Sequence, residues 1–124
     1  TMAEKVDVIY LPTDNTFAAT MATVGQISET KQIPVIVGEA GMCENGGLAT
    51  VGLDFYQLGL QTGEFAKKVF EGGDISTMAV EYPKTNNVTV NKDMAEKLGI
   101  EIPQSVLDKA DYIIENGETV TVEK

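Results

Sequence analysis

The chain has 124 residues, 43% of them hydrophobic, with one cysteine and neither histidine nor tryptophan; nine basic against 19 acidic residues leave a formal charge of −10. That length suits one domain or a piece of a larger protein, the apolar content suffices for a core, and the acidity argues against a nucleic-acid partner, whose phosphates it would repel. With no His and only Cys43, the composition excludes Ser/His/Asp and Cys/His catalytic sets, an HExxH zinc site, a zinc ribbon and an internal disulfide, while an oxygen-only Mg2+ or Ca2+ site stays open.

Val6-Asp7-Val8-Ile9-Tyr10-Leu11, almost continuously apolar and stopped by Pro12, predicts a strand covered on both faces. Thr13-Asp14-Asn15-Thr16 is a polar turn of good helix-capping residues, and Phe17, Met21 and Val24 then recur at helical spacing up to about Lys31. Pro34-Val35-Ile36-Val37-Gly38 is a second short buried strand, followed by a Gly-rich polar loop over 39–47. Strand, helix and strand within ~30 residues is a βαβ unit, so the fold class is α/β with a parallel sheet.

Leu48 to Leu53 is a third, weaker extended segment. Asp54 is placed to cap a helix running to Phe70, with Phe55, Leu58, Phe65 and Val69 on one stripe and Gly72-Gly73 ending it. Gly59 and Gly63 share a face of that helix and suggest close approach of another element, since each costs ~1 kcal/mol of helix propensity. After a linker over 74–78, Ala79-Val80-Glu81-Tyr82 is extended and Pro83 breaks it. Asn86-Asn87 reads as a turn leading into a short strand over 87–90; Asn91 caps a short helix closed by Gly99, and Pro103 opens another over 104–110. The tail from Glu115, with its Asn116-Gly117 turn, reads as a loose strand or as disordered.

Ligands of open parallel sheets collect beyond the carboxyl ends of the strands. Two loops fit that description, 12–16 and 39–46. The first sets a carboxylate, an amide and two hydroxyls at a helix start whose N–H groups favour anions, and the second offers Glu39, Cys43, Glu44 and Asn45 among glycines. Together they suit a small zwitterion. The plainer reading is that Asp14, Asn15 and Thr16 only cap a helix, that Asp54 does the same, and that Cys43 is an ordinary thiol with no base to activate it. Neither GxxxxGK[ST] nor GxGxxG occurs, and a phosphorelay receiver would need an acidic cluster and a strand-end Lys that are missing. No apolar run approaches the ~18–20 residues of a membrane span, and residues 1–15 lack the blocks of a signal peptide.

Three blocks in this order carry a resemblance: Leu11-Pro12-Thr13-Asp14-Asn15, Gly38-Glu39-Ala40-Gly41-Met42, and Ala49-Thr50-Val51-Gly52-Leu53-Asp54-Phe55-Tyr56-Gln57-Leu58-Gly59. They resemble the ABC transporter substrate-binding proteins that include tryptophan-binding members, over nearly the whole chain. The resemblance implies a type I periplasmic-binding fold, a parallel-sheet sandwich of two lobes joined by hinge strands around a ligand cleft. On that analogy 1–53 belongs to the second lobe and ends in a hinge crossing, 54–78 to the first lobe, 79–84 to another crossing, and 85–124 to the return into the second lobe and the tail. Thr13, Asp14, Asn15, Thr16, Glu39, Ala40, Gly41 and Asp54 would be ligand-binding, with no catalytic residue, metal or cofactor. Ala40 stands where the family often has Ser, so a hydroxyl contact would be lost.

The implied function is capture of a small molecule, an aromatic amino acid or similar, and its presentation to an ABC permease, outside the cytoplasm as a lipoprotein or periplasmic protein. The chain is expected to lack upstream sequence and therefore to form a homo-oligomer through uncovered apolar surface on the 54–70 helix. Two other classes remain in view. One is the effector-binding half of a transcription regulator of the same architecture. The other is a small α/β enzyme using Asp14 and Glu39 as a carboxylate pair.

Overall fold

In the computed structural model, which describes residues 2–123, short β-branched runs form one sheet and capped helices run between them in the chain. The strands are β1 (Ile9–Leu11), β2 (Val35–Val37), β3 (Ala49–Leu53), β4 (Asn86–Asn91), β5 (Tyr112–Glu115) and β6 (Glu118–Thr121), in that order across it. β1 and β2, β2 and β3, and β4 and β5 pair in parallel; β5 and β6 are antiparallel. The helices are α1 (Asn15–Lys31), α2 (Ala40–Glu44), α3 (Phe55–Phe70), α4 (Lys92–Lys97) and α5 (Gln104–Leu107). The α/β fold with a mostly parallel sheet is as the sequence predicts.

The chain divides into two units, Leu53–Asn86 and the remainder. In the larger one, β2 separates two apolar layers by its alternation. Val35 and Val37 pack with Met21, Met42, Cys43 and Ile114, while Ile36 packs against Leu48, Met94, Ala95 and Leu98. α1 closes on Gln32 in the left-handed region (φ 54), whose N–H donates to the carbonyls of Ser28 and Glu29. Ser28 Oγ donates 2.6 Å to the Ile33 carbonyl and so ties that helix end to the entry of β2.

In the smaller unit α3 starts on Asp54, and its one buried residue, Gln61, donates to Glu81 Oε2 at 2.8 Å and to the Tyr82 carbonyl at 3.1 Å. A 3-10 turn over Ile75–Thr77 interrupts the expected linker, held by Asp74, whose carboxylate accepts from the Ser76 N–H and hydroxyl. Those two bonds pull the Asp74 carboxyl below its ordinary range.

Several sequence expectations need correction. β1 covers three residues instead of six and lies at the sheet edge with Tyr10 63% exposed, so it is not covered on both faces. The supposed loop 39–47 contains α2. Residues 79–82 join no strand of the sheet, and the Tyr82 carbonyl accepts from the Gln61 side chain. Asn86 and Asn87 lie in β4 and are not a turn. α5 is a single turn with Pro103 before it, not a helix to Ala110. The tail is ordered as the β5–β6 hairpin, whose Asn116-Gly117 turn has φ of 56° and 77°, the mirror-image geometry that matches strand twist. Asp93 of α4 clamps that turn, accepting 2.8 Å bonds from the N–H of both Asn116 and Gly117.

Candidate functional site

The parallel register Ile9↔Val35, Tyr10↔Ile36 and Leu11↔Val37 brings β1 and β2 to the same end of the sheet side by side. The segments that follow them, 12–16 and 38–41, are therefore neighbours, as the sequence reading requires. Contact between them is direct: the α-carbon of Gly38 has no room for a side chain because Thr13 and the Pro12 carbonyl carbon lie against it. The end of β3 joins this corner through Gly52, which packs on the α-carbon of Glu39. Thr13, Asp14, Asn15 and Thr16 are thus brought together with Glu39, Ala40 and Gly41.

What these side chains do differs from expectation in one respect. The Asp14 carboxylate accepts hydrogen bonds from Thr16 N–H at 2.8 Å and Phe17 N–H at 3.1 Å. Glu39 does the same for α2, accepting from Gly41 at 2.8 Å and Met42 at 2.7 Å. The N–H groups that the sequence reading offered to an anion are thereby occupied by the protein's own carboxylates. The corner is accordingly an anionic wall with fixed geometry, not an anion cradle. Its outward chemistry is set by carboxylate oxygens, the Asn15 amide and the hydroxyls of Thr13 and Thr16. Asp14 and Asn15 are exposed, while Glu39, Ala40 and Gly41 are half-buried.

Asp54 belongs to the smaller unit, where it caps α3 by accepting from Gln57 N–H at 2.9 Å. Cys43 is fully buried under the corner, with Sγ 3.7 Å from the Gly47 carbonyl and 3.8 Å from that of Thr89. Burial first, then the charges of Glu44 and Glu39, push its thiol up to about 12, which leaves it protonated and unreactive at neutral pH. Asn91 links this layer to α4, donating 2.9 Å to the Cys43 carbonyl and accepting 2.9 Å from Met94 N–H.

Other concave regions involve different residues. A groove of about 480 Å3 in the larger unit is lined by Gln26, Glu29, Glu44, Asp93, Lys97 and Thr119 among others. Its charges are already paired: Lys97 lies 3.3 Å from Glu29, Thr119 donates 3.0 Å to Glu44, and Asp93 holds the hairpin turn. An apolar groove of about 380 Å3 runs beside β1, lined by Met2, Ile9, Leu11, Phe17, Ile27 and Ile33 among others. Among the described residues no three His, Cys, Asp or Glu side chains come close enough to hold a metal ion, and no helix is long and apolar enough to cross a membrane.

Sequence reasoning singled out the acidic residues at these corners but not Gly38, Gly52 or Thr50. Thr50 is 2% exposed, and its Oγ1 has no hydrogen-bond partner among the described residues. The glycines have no local signature, because neither adopts a positive φ.

Residues 1–114 match the sequence profile of the family described as ABC transporter substrate binding protein. A tyrosine-binding protein of Clostridioides difficile (strain R20291) is 33% identical over 97 residues, 78% of this chain and 28% of that protein. Among solved structures, an ABC domain in complex with L-Trp from Streptococcus pneumonia shares 37% identity at a TM-score of 0.82, over 91% of this chain and 38% of the other. The ligand-free, open structure of a substrate-binding protein with adhesive properties from Clostridium difficile shares 38% identity at a TM-score of 0.69, over 88% of this chain and 36% of the other. The chain therefore spans well under half the length of these relatives. Sequence match over nearly its whole length, and a shared fold at substantial identity, make this chain a member of the ABC transporter substrate-binding protein family.

Proposed function

We propose that the two acidic corners form one wall of a cleft that captures an amino acid with an aromatic side chain and presents it to a membrane permease outside the cytoplasm, without chemical change. The observation that carries this reading is the adjacency of the Asp14 and Glu39 corners, each with its carboxylate pinned on two backbone amides. Pinned carboxylates lose little entropy on binding and match the ammonium end of a zwitterion, whose carboxylate would be repelled here and must find its partner elsewhere. The relatives named for tyrosine binding and for an L-Trp complex support the aromatic side chain.

In this reading 54–78 belongs to the first lobe and the rest of the chain to the second, and the crossings that end at Leu53 and run over 79–84 act as hinges. Ligand binds the closed arrangement better and so shifts the equilibrium toward it. Nothing in the corner need act as an acid, a base or a nucleophile. The regulator and enzyme alternatives have no observation of their own in their favour. The exposed Phe55, Tyr56, Leu60 and Phe70 of α3 also favour self-association of the isolated chain, to be checked by the concentration dependence of its sedimentation.

Calorimetric titration and thermal shift with L-tyrosine, L-tryptophan and L-leucine test the proposal. Stabilisation by the two aromatic amino acids, weakened at least tenfold in Asp14→Asn, with all three amino acids recovered unaltered, is the expected result. Equal stabilisation by L-leucine removes the aromatic preference, and unchanged affinity in Asp14→Asn removes the corner.

A further inference from the structure

We infer that Gly38 and Gly52 are positioning residues that fix the separation of the two acidic corners, an inference that rests on reading those corners as a ligand wall. Backbone freedom is not what these positions use. Gly46, Gly72, Gly99 and Gly117 occupy the positive-φ region, whereas Gly38 and Gly52 do not. Space is what they supply. A β-carbon on Gly38 would strike the backbone nitrogen of Thr13, lie 2.5 Å from its Oγ1 and 3.0 Å from the carbonyl carbon of Pro12. On Gly52 it would stand 3.1 Å from the α-carbon of Glu39, 3.3 Å from Thr50 Oγ1 and 3.4 Å from the Gly38 carbonyl oxygen.

Most of these atoms are main chain. They follow directly on the paired ends of β1 and β2, and because they are backbone no rotamer change makes room, so the corners themselves must part. Thr13 Oγ1 and Thr50 Oγ1 are the side-chain exceptions: at Gly38 the Thr13 and Pro12 backbone still blocks the site, and at Gly52 Thr50 Oγ1, with no hydrogen-bond partner among the described residues, can turn aside and leave the Glu39 backbone to take up the displacement. Each carboxylate is bonded to amides of its own corner, so a shift of the backbone carries Asp14 or Glu39 with it. The two glycines thus connect the ends of β1, β2 and β3 and act on a ligand only through the groups they space.

The test uses the full chain, isotopically labelled, as Gly38→Ala, Gly52→Ala and, as control, Gly59→Ala, where an added β-carbon meets nothing within 4 Å. Gly38→Ala should shift the amide signals of residues 13–16 and Gly52→Ala those of 39–42, while the methyl signals of Met21, Met94 and Ile114 in the core stay in place. The control should move neither set. Titrated with L-tyrosine and L-tryptophan, affinity should fall about tenfold in Gly38→Ala and about threefold in Gly52→Ala, and hold in the control. Should Gly38→Ala fail to fold, the milder contact at Gly52 carries the test. Corner amides that stay put, or shifts spread evenly through the core, would overturn the inference. A parent chain that takes up neither amino acid, yet shows the corner shifts in both variants, would remove the ligand-wall reading and leave the spacing role standing.

Discussion

The larger unit buries apolar side chains on both faces of its sheet, whereas Leu53–Asn86 leaves most of its own in solvent. Met21, Val35 and Val37 are at most 2% exposed; Phe70, Val80 and Tyr82 are 89%, 88% and 83% exposed. Yet α3 is as well formed locally as α1: both begin on an aspartate that accepts from the first turn, Asp14 from two amides and Asp54 from one, and both run four turns or more. The difference teaches that capping and periodicity make a helix, while burial of its stripe decides what that helix contributes to stability.

The widest test of this contrast is truncation on each side of it. Met21→Ala removes a side chain from the centre of the first apolar layer and should cost about 2–5 kcal/mol, whereas Phe70→Ala should stay within about 0.5 kcal/mol. Urea unfolding followed by circular dichroism measures both. Equal losses would mean that the Phe70 surface is covered in solution.

Cys43 sharpens the same contrast through pH. Its thiol rises from 9.0 to about 12 in the folded chain, so between those values the unfolded state gives up a proton that the folded state keeps. Stability from this source is complete below pH ~9 and is lost as pH climbs toward ~12, by up to about 4 kcal/mol across the span. Thermal unfolding from pH 8 to 11 should therefore show a steeper decline in the parent than in Cys43→Ala. At pH 8 a thiol reagent should modify Cys43 only after unfolding.

Smaller effects attach to the caps. Glu39→Ala and Asp14→Ala should each cost about 1 kcal/mol by freeing two amides. Asn91→Ala should cost about 1–3 kcal/mol, because besides the α4 cap it removes the shorter, 2.9 Å bond to the buried Cys43 carbonyl, which keeps only backbone donors such as Gly46 N–H at 3.3 Å. Chemical denaturation ranks the three. If Asn91→Ala proves no worse than Glu39→Ala, the link between the Cys43 layer and α4 carries little energy.

The same reasoning separates what the sequence disclosed from what it withheld. α1 and α3 were legible because an aspartate cap and four or more turns of spacing agree. α2 was not, since five residues do not complete a pattern and its cap is a glutamate, an uncommon choice beside Ser, Thr, Asp and Asn. β5 leaves no periodic signal because Tyr112-Ile113-Ile114 is too short to show alternation, although the turn that follows it is plain. At the corners, adjacency of 12–16 and 39–41 followed from the βαβ pattern. That Asp14 and Glu39 consume the amides beside them is a matter of side-chain direction, which spacing does not carry. The space vacated at Gly38 and Gly52 is a contact between segments distant in sequence, and it leaves no mark in either.

The smallest effect has the opposite sign and falls in the less buried unit. Gly59 lies inside α3 without a positive φ, and an added β-carbon there meets nothing within 4 Å. Alanine at that position therefore brings no clash, and it removes the backbone freedom that glycine adds to the unfolded chain. Gly59→Ala should stabilise by about 0.5–1 kcal/mol, in contrast to the losses expected from alanine at Gly38 and Gly52. A shift of the urea midpoint to higher concentration with unchanged slope is the expected signature. A destabilised Gly59→Ala would mean that a surface packs against this face of α3 in solution, and Leu53–Asn86 would then be buried to a degree its exposed aromatic side chains do not suggest.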